Sequence, residues 1–362
     1  MGAGILLFIT TRTWQPFEKG VVNVYCFYGM IPPAVIKQFE QETGIRVRFD
    51  IYDNNEILEA KLFATNSGYD VVLPTCPPYV GRQIAAGVYQ PLDKSLLTNL
   101  GPLEPIIVEK MQSVDPGLIY TVPYYWGTVG MAFDYHKVKK ILPEVDLESH
   151  DLIFNPENLR RLATYGISFF EEAIDVFPLI LLYLGKNPNS DDRKDLELAY
   201  EHLKKIRPFL RRFTSSRFIN DLVMGDVCLT QAWSGEAYQA ILEAKEFGLD
   251  LRYVTPKEGA GLWIDCFAIP NGAMNPKNAH AFINFLLRPE IAAQITNQVY
   301  LPTTVLSSLI LVDPYLRNHP AIFPPQNRIK RLGLYQLPSH KSTASYERER
   351  NRLWAKIRLS QF

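Results

Sequence analysis

The amino-acid sequence predicts an α/β protein of two lobes, each built on a mostly parallel sheet with helical crossovers. Three observations carry this. In residues 21–73, apolar strand-like runs alternate with helix-periodic segments, and that alternation feeds a parallel sheet. A second unit of helices and strand-like runs follows from residue 168 onward. The chain is 362 residues long, which suits two cores, since domains usually run to roughly 100–200 residues.

The elements follow in order. Val21–Phe27 is rich in Val and aromatics and reads as a buried strand. Pro32 and Pro33 open a helix whose apolar positions Val35, Ile36 and Phe39 keep helical spacing, because Pro is tolerated in a first turn. Gly44 stands where a C-cap is expected. Residues 45–51 alternate strictly, as a strand with one polar face does, and residues 55–64 return to the helical pattern. Residues 70–73 make a third, short buried strand. Ligands of such sheets bind outside the carboxyl ends of the strands, which points to residues 27–30 and 74–79. In the second unit, Ser168 and Glu171 form a capping-box pattern before an apolar helix that ends at Gly185. A helix over 194–205, strands over 227–232 and 262–269, and a helix over 278–287 complete it. There is no internal repeat and no low-complexity linker, so short strands are expected to join the lobes, which suits a hinge.

Composition excludes several classes. Apolar residues make up 47% and charged residues 21%, as in ordinary globular proteins. Lys plus Arg balances Asp plus Glu at 38 each, so no basic surplus favours nucleic acid. Arg348, Arg350, Arg352, Lys356 and Arg358 crowd the C-terminus beside Glu347 and Glu349 and read as a solvated helix face. No run approaches the roughly 20 apolar residues of a membrane span. Residues 1–19 hold a short apolar run and are read as a leader or signal remnant. Cys26, Cys76, Cys228 and Cys266 show neither CxxC nor metal spacing. Buried free thiols are favoured over disulfides, although Cys26 and Cys76 both follow apolar strand-like runs, which leaves open a shared sheet edge. No GxSxG, HExxH, P-loop or GxGxxG is present, so an enzyme using an α/β cleft is the weaker reading.

Several segments carry a family resemblance. Phe39-Glu-x-Glu-Thr-Gly-Ile-Arg-Val, Tyr52-Asp-Asn-Asn-Glu56, Tyr69-Asp-Val-Val and Gln90-Pro-Leu-Asp-Lys94 resemble the bacterial periplasmic polyamine-binding proteins. The stretches 156–159, 166–169, 183–190, 216–221 and 225–228 look like the putrescine-binding branch. Those at 256–260 and 285–289 fit putrescine and spermidine members alike. The resemblance spans about residues 21–357. It implies the type II periplasmic-binding-protein fold, two α/β lobes joined by crossover strands. On that pattern residues 20–127 with 264–309 form lobe 1, and 128–263 with 310–362 form lobe 2. It further implies export to the periplasm, a polyamine ligand, ABC-transporter permease subunits as partners, a monomeric state, and neither cofactor nor metal. A solute-binding protein of the same fold for thiamine, iron or a sugar is the alternative.

The chemistry of the residues agrees. A polyamine is an apolar stem with cationic ends. Its site needs separated carboxylates and aromatic faces, each worth ~0.5–2 kcal/mol in cation–π attraction. Trp233 precedes Glu236, and Trp263 precedes Asp265. Both tryptophans also fit core packing, and both acids fit exposed turns; the resemblance places all four in the cleft. Glu172 and Asp175 are three apart and are expected on one side of a helix. The family pattern selects Asp175 as an amine ligand and Glu172 as a second acid of spermidine-binding members, with Glu171 structural. Phe27, Tyr28, Thr75, Tyr79 and Gln336 are the remaining candidates. Tyr124 and Tyr125 lie in what resembles the hinge-crossing strand and read as packing. Three departures stand out. Gly29 replaces an amine-binding carboxylate, Leu301 replaces a pocket Tyr beside Tyr300, and the 74–79 loop is one residue longer. The first-lobe side is therefore expected to be apolar and the second acidic, a pattern that leans toward spermidine over putrescine.

Overall fold

The computed structural model describes residues 20–64, 67–335 and 343–360. The first parallel unit is β1 (Val21–Phe27), β2 (Arg46–Tyr52) and β3 (Val71–Val72), linked by the helices Pro33–Thr43 and Asn55–Phe63. Both helices are bounded by local chemistry. Gly44 takes φ 69° and donates its N–H to the Glu40 carbonyl, a left-handed cap that glycine adopts without strain. The Asn54 side chain accepts from the Ile57 N–H at 3.0 Å and starts the next helix.

Next come β4 (Thr75–Cys76), β5 (Thr121–Asp134), β6 (Ile167–Phe169), β7 (Arg212–Phe213), β8 (Leu229–Trp233), β9 (Leu251–Val254), β10 (Ala260–Ala268) and β11 (Leu332–Gly333). The main path of the sheet runs β2-β1-β3-β10-β5-β8-β6-β7. Its two ends are parallel units, β2-β1-β3 and β8-β6-β7. The centre is antiparallel, with β10 facing β3, β4 and β5, and β5 facing β8 and β9.

All fourteen residues of β5 are buried, and each part of the strand serves a different core. Val122, Tyr124 and Tyr125 belong to the cluster under β1 and β3. Val129, Met131, Ala132 and Phe133 belong to the cluster under β6 and β8. Trp126 lies between them, with Leu262 and Ile264 of β10. In register, Trp126, Gly127 and Thr128 pair with Ile264, Trp263 and Leu262. Tyr124 and Tyr125 are fully buried, their hydroxyls donating to the carbonyls of Leu286 at 2.8 Å and Met30 at 2.6 Å. The four cysteines are buried free thiols.

Three expectations are corrected. Ser168 is no helix cap: it lies in β6, where its hydroxyl meets Thr230 Oγ1 at 2.7 Å. Pairing with β8 buries Ile167 and Phe169, and that nonlocal gain outweighs a local cap. The helix begins instead at Ala173, with Glu172 at its N-cap. Glu172 and Asp175 therefore do not both stand on the helix, although they remain neighbours. The C-terminal helix Thr343–Leu359 is not solvated all along its basic face. Arg350 is only 7% exposed, in a buried row with Tyr346, Leu353, Trp354 and Ile357. The proposed leader, residues 1–19, lies outside the described residues.

Gly127 has no room for a side chain, because a Cβ there would overlap the Trp263 ring and crowd Ser234 Oγ. Gly127→Ala should therefore destabilise the fold by ~1–3 kcal/mol, as overpacking does. Urea unfolding followed by tryptophan fluorescence checks this, and an unchanged midpoint would show that the ring is free to shift.

Candidate functional site

A cleft of about 670 Å³ opens between the two large cores. One wall comes from the turns that follow β1, β2 and β4. The opposite wall is the start of the Ala173–Tyr183 helix, Ser215 and Ser216, and the end of β8 with Glu236. Trp263 and Asp265 of β10 line the space between them, with Leu301 and Tyr335. The walls thus hold the carboxyl ends of parallel strands from both units, where α/β sheets bind ligands.

Asp265 is 3% exposed. Its Oδ1 accepts from Thr75 Oγ1 at 2.6 Å. Thr75 is fixed in turn by Asn55, whose amide donates to the Thr75 hydroxyl at 3.0 Å and whose Oδ1 accepts the Thr75 N–H at 3.1 Å. Burial pushes the Asp265 carboxyl up to about 7 despite the Thr75 hydrogen bond, and Glu236 adds to the rise. Burial likewise raises Glu236, whose Oε2 has no hydrogen-bond partner. Glu236 stands in the first turn of the Ser234–Glu246 helix. Trp233, just before it, stacks on Phe170 with centroids 4.4 Å apart. Trp263 lies against the Gly127 backbone, and its indole N–H is buried without a partner.

A second acidic corner forms around Asp175. Burial, then Glu172, pushes its carboxyl up to about 7, with Glu56 adding from the opposite wall and Arg350 acting against them. The Ser215 hydroxyl donates to Glu172 and its Oγ accepts the Glu171 N–H at 3.0 Å. Across the cleft Tyr79 donates to Glu56.

Ten of the eleven residues singled out from the sequence line this one cleft: Phe27, Tyr28, Thr75, Tyr79, Glu172, Asp175, Trp233, Glu236, Trp263 and Asp265. The eleventh, Gln336, lies outside the described residues. Tyr28 is 85% exposed, at the rim. Gly29 has open space about its Cα. Leu301 faces the cleft, whereas Tyr300 packs on Tyr238 and does not replace the missing pocket tyrosine.

Sequence reasoning missed Tyr52, Asp53, Glu56 and Tyr335. Tyr52 ends β2, Asp53 lies in the turn after it and Glu56 in the first turn of the Asn55–Phe63 helix, a strand end that the strand-end rule flags as readily as the turn after β1. The expected apolar first-lobe wall is thereby corrected, because Asp53 and Glu56 make it acidic. In all, Asp53, Glu56, Glu171, Glu172, Asp175, Glu236 and Asp265 line the cleft, and no Lys, Arg or His does so among the described residues. No described group of His, Cys, Asp or Glu is arranged to hold a metal ion.

The buried acids of the cleft should favour the folded state at acid pH. Asp175 and Asp265 hold their protons up to about 7 in the folded chain, against an ordinary value of 3.8. The folded state therefore binds more protons than the unfolded state in that window, and stability falls as pH rises through it. Buried His150 and His202 and half-buried His319, lowered by burial, act in the opposite sense. The test is therefore the difference between chains: from pH 4 to 8 the melting temperature of Asp265→Asn should gain on that of the parent. A difference between the two that does not change with pH would overturn the assignment.

Residues 34–322 match the family described as bacterial extracellular solute-binding protein. The putrescine-binding periplasmic protein SpuD of Pseudomonas aeruginosa is 41% identical over 347 residues, covering 95% of this chain and 93% of its own. The putrescine-binding periplasmic protein PotF of Escherichia coli is 38% identical over 360 residues, with 98% and 96% covered. Among solved structures, the spermidine/putrescine ABC transporter substrate-binding protein PotD of Streptococcus pneumoniae superposes with a TM-score of 0.80 at 28% identity. It covers 94% of this chain and 100% of its own. The two-unit sheet is the type II fold of those periplasmic binding proteins, and the chain belongs to the bacterial extracellular solute-binding protein family.

Proposed function

We propose that this chain binds a polyamine in the cleft and delivers it to the permease subunits of an ABC importer. The observation that carries this reading is the charge of the cleft, with seven carboxylates, several aromatic faces and, among the described residues, no cationic side chain. Such a lining repels anions and matches a ligand with cations at separated points along an apolar stem. Asp265 and Glu236 take one ammonium. Asp175 and Glu172 take another, and Trp233, Trp263 and Tyr335 cover the methylenes. The relatives named for putrescine and spermidine support the same ligand class. The chain acts in the periplasm as a binding protein and not as an enzyme.

Delivery uses two lobes, residues 20–127 with 264–309 and residues 128–263 with 310–362. They close about the paired crossing segments 126–128 and 262–264. Ligand drives closure by binding the closed state better than the open one. Small-angle scattering should show a smaller radius of gyration at saturating polyamine, and an unchanged radius would sink the closure.

A melting panel of putrescine, cadaverine, spermidine, spermine, thiamine and ferric ion tests the ligand class. The true ligand at about a hundred times its Kd stabilises the fold by ~2.7 kcal/mol. A response to thiamine or iron with none to any polyamine would replace this reading. Within the site, Asp265→Asn should weaken polyamine binding by ~2–5 kcal/mol, the usual cost of removing one member of a buried charge pair. Calorimetry reads this directly, and unchanged affinity would remove Asp265 from the site.

A further inference from the structure

We propose that Asn55 is a positioning residue for the ligand: it turns the Thr75 hydroxyl toward Asp265 and so leaves the second oxygen of that carboxylate, Oδ2, to take one ammonium group. This rests on the polyamine reading above and deepens it.

The direction of each hydrogen bond follows from which groups can donate. Asn55 stands in the first turn of the Asn55–Phe63 helix and is 9% exposed. The Thr75 N–H can only donate, so the amide atom 3.1 Å from it is the oxygen, Oδ1. The other end of the amide is then Nδ2, 3.0 Å from Thr75 Oγ1, and it too can only donate. The Thr75 hydroxyl accepts that bond and keeps one hydrogen to give. Its remaining partner is Asp265 Oδ1, at 2.6 Å. A single backbone N–H thus sets the direction of the whole chain of bonds. Bracing the turn needs only the Asn55 oxygen on the Thr75 N–H. What the amide nitrogen adds is a fixed proton direction at the hydroxyl.

The backbone holds the pair at this separation. The register of β4 on β10 puts Thr75 opposite Asp265, and the Cys266 N–H donates to the Pro74 carbonyl at 2.9 Å. No described residue donates to Asp265 Oδ2, and Asp265 lines the cleft. With Oδ1 engaged, Asn55 can offer ligand only an N–H, which an ammonium cannot use, so it acts through Asp265.

The proton balance follows. A protonated Asp265 carries its hydrogen on Oδ2, because Oδ1 already faces the Thr75 hydrogen. Two donors cannot bond, so an ammonium binds only after that proton leaves to solvent, and its N–H then takes its place on the oxygen. The Thr75 bond favours the ionised form, against burial and Glu236. The titratable groups that act with Asp265 are Cys26 of β1, Tyr52 of β2, Cys76 of β4, Tyr125 of β5, Cys266 of β10 and Glu236. Burial pushes the thiols and phenols up, so they stay neutral, and among the described residues Glu236 alone titrates beside it.

The test measures putrescine Kd by calorimetry from pH 6 to 8.5 on the full chain, Asn55→Ala, Thr75→Val and the double variant. Comparison with the parent at each pH cancels the ligand's own ionisation. Without Asn55 the Thr75 hydrogen can turn away from Asp265, whose folded pKa then rises. Asn55→Ala should therefore bind about tenfold more weakly than the parent at pH 6 and within about threefold of it at pH 8.5. Thr75→Val should show the same trend with pH. The double variant should bind no worse than Thr75→Val alone, since both act through one hydrogen. A loss equal at every pH, or losses that multiply in the double variant, would make Asn55 a brace of the turn and overturn the proposal. So would an Asn55→Ala chain that does not fold, or a Thr75→Val chain with the parental pH profile. A parent chain that binds neither putrescine nor spermidine would reject the polyamine reading itself.

Discussion

The antiparallel pairing of β5 with β10 is the constraint on which the rest of the molecule depends. Each end of β5 is a buried strand of a different core, so neither core is complete without it. The same pairing sets the register that puts Trp263 opposite Gly127 and Asp265 opposite Tyr125. A shift of one residue would turn every side chain of β10 to the other face. The tryptophan and carboxylate would then leave the cleft, and Leu262 and Ile264 would leave the small core beneath it.

On that frame the molecule concentrates groups that oppose its own stability. Asp175, Glu236 and Asp265 are desolvated acids whose neighbours include other acids. Glu236 Oε2, the Trp263 indole N–H and Arg350 Nε lack partners. Buried unpartnered groups also occur away from the cleft, as at His150 Nδ1, Asp221 Oδ2 and Gln231 Nε2. Asp175, Glu236 and Asp265 differ in standing where a bound ammonium can relieve their desolvation, as expected of a site organised in advance of binding.

The fold was legible in the sequence wherever periodicity and termination signals agreed, as at Val21–Phe27 and at the helix closed by Gly44. Ser168 shows where that reading stops. A hydroxyl three residues before an acid is a local signal, and its outcome depended on Thr230 in a strand sixty-two residues away. Arg350 failed for a different reason: Tyr346, Leu353, Trp354 and Ile357 keep helical spacing and mark the face that docks, with Arg350 in the same row, but the charge run points to solvent instead. In the site, the tryptophan–carboxylate pairs were legible because chemistry and resemblance converged on them. The turn after β2 was passed over although Asp53 and Glu56 obey the same strand-end rule. Tyr335 had no local signal, since its place follows from β11 pairing with β10.

The single sign of charge among the described residues of the cleft also bears on how fast the molecule works. Opposed acidic walls with low-dielectric cores behind them focus field lines into the opening. A multivalent cation is drawn toward the mouth before it touches any residue, whereas a chloride or a carboxylate metabolite is turned away at the same distance. Capture is therefore an ionic-strength-dependent process, screened over a Debye length of about 8 Å at physiological salt. In dilute surroundings the protein harvests its cation at rates nearer the diffusion limit, and in brine it waits for unassisted encounter.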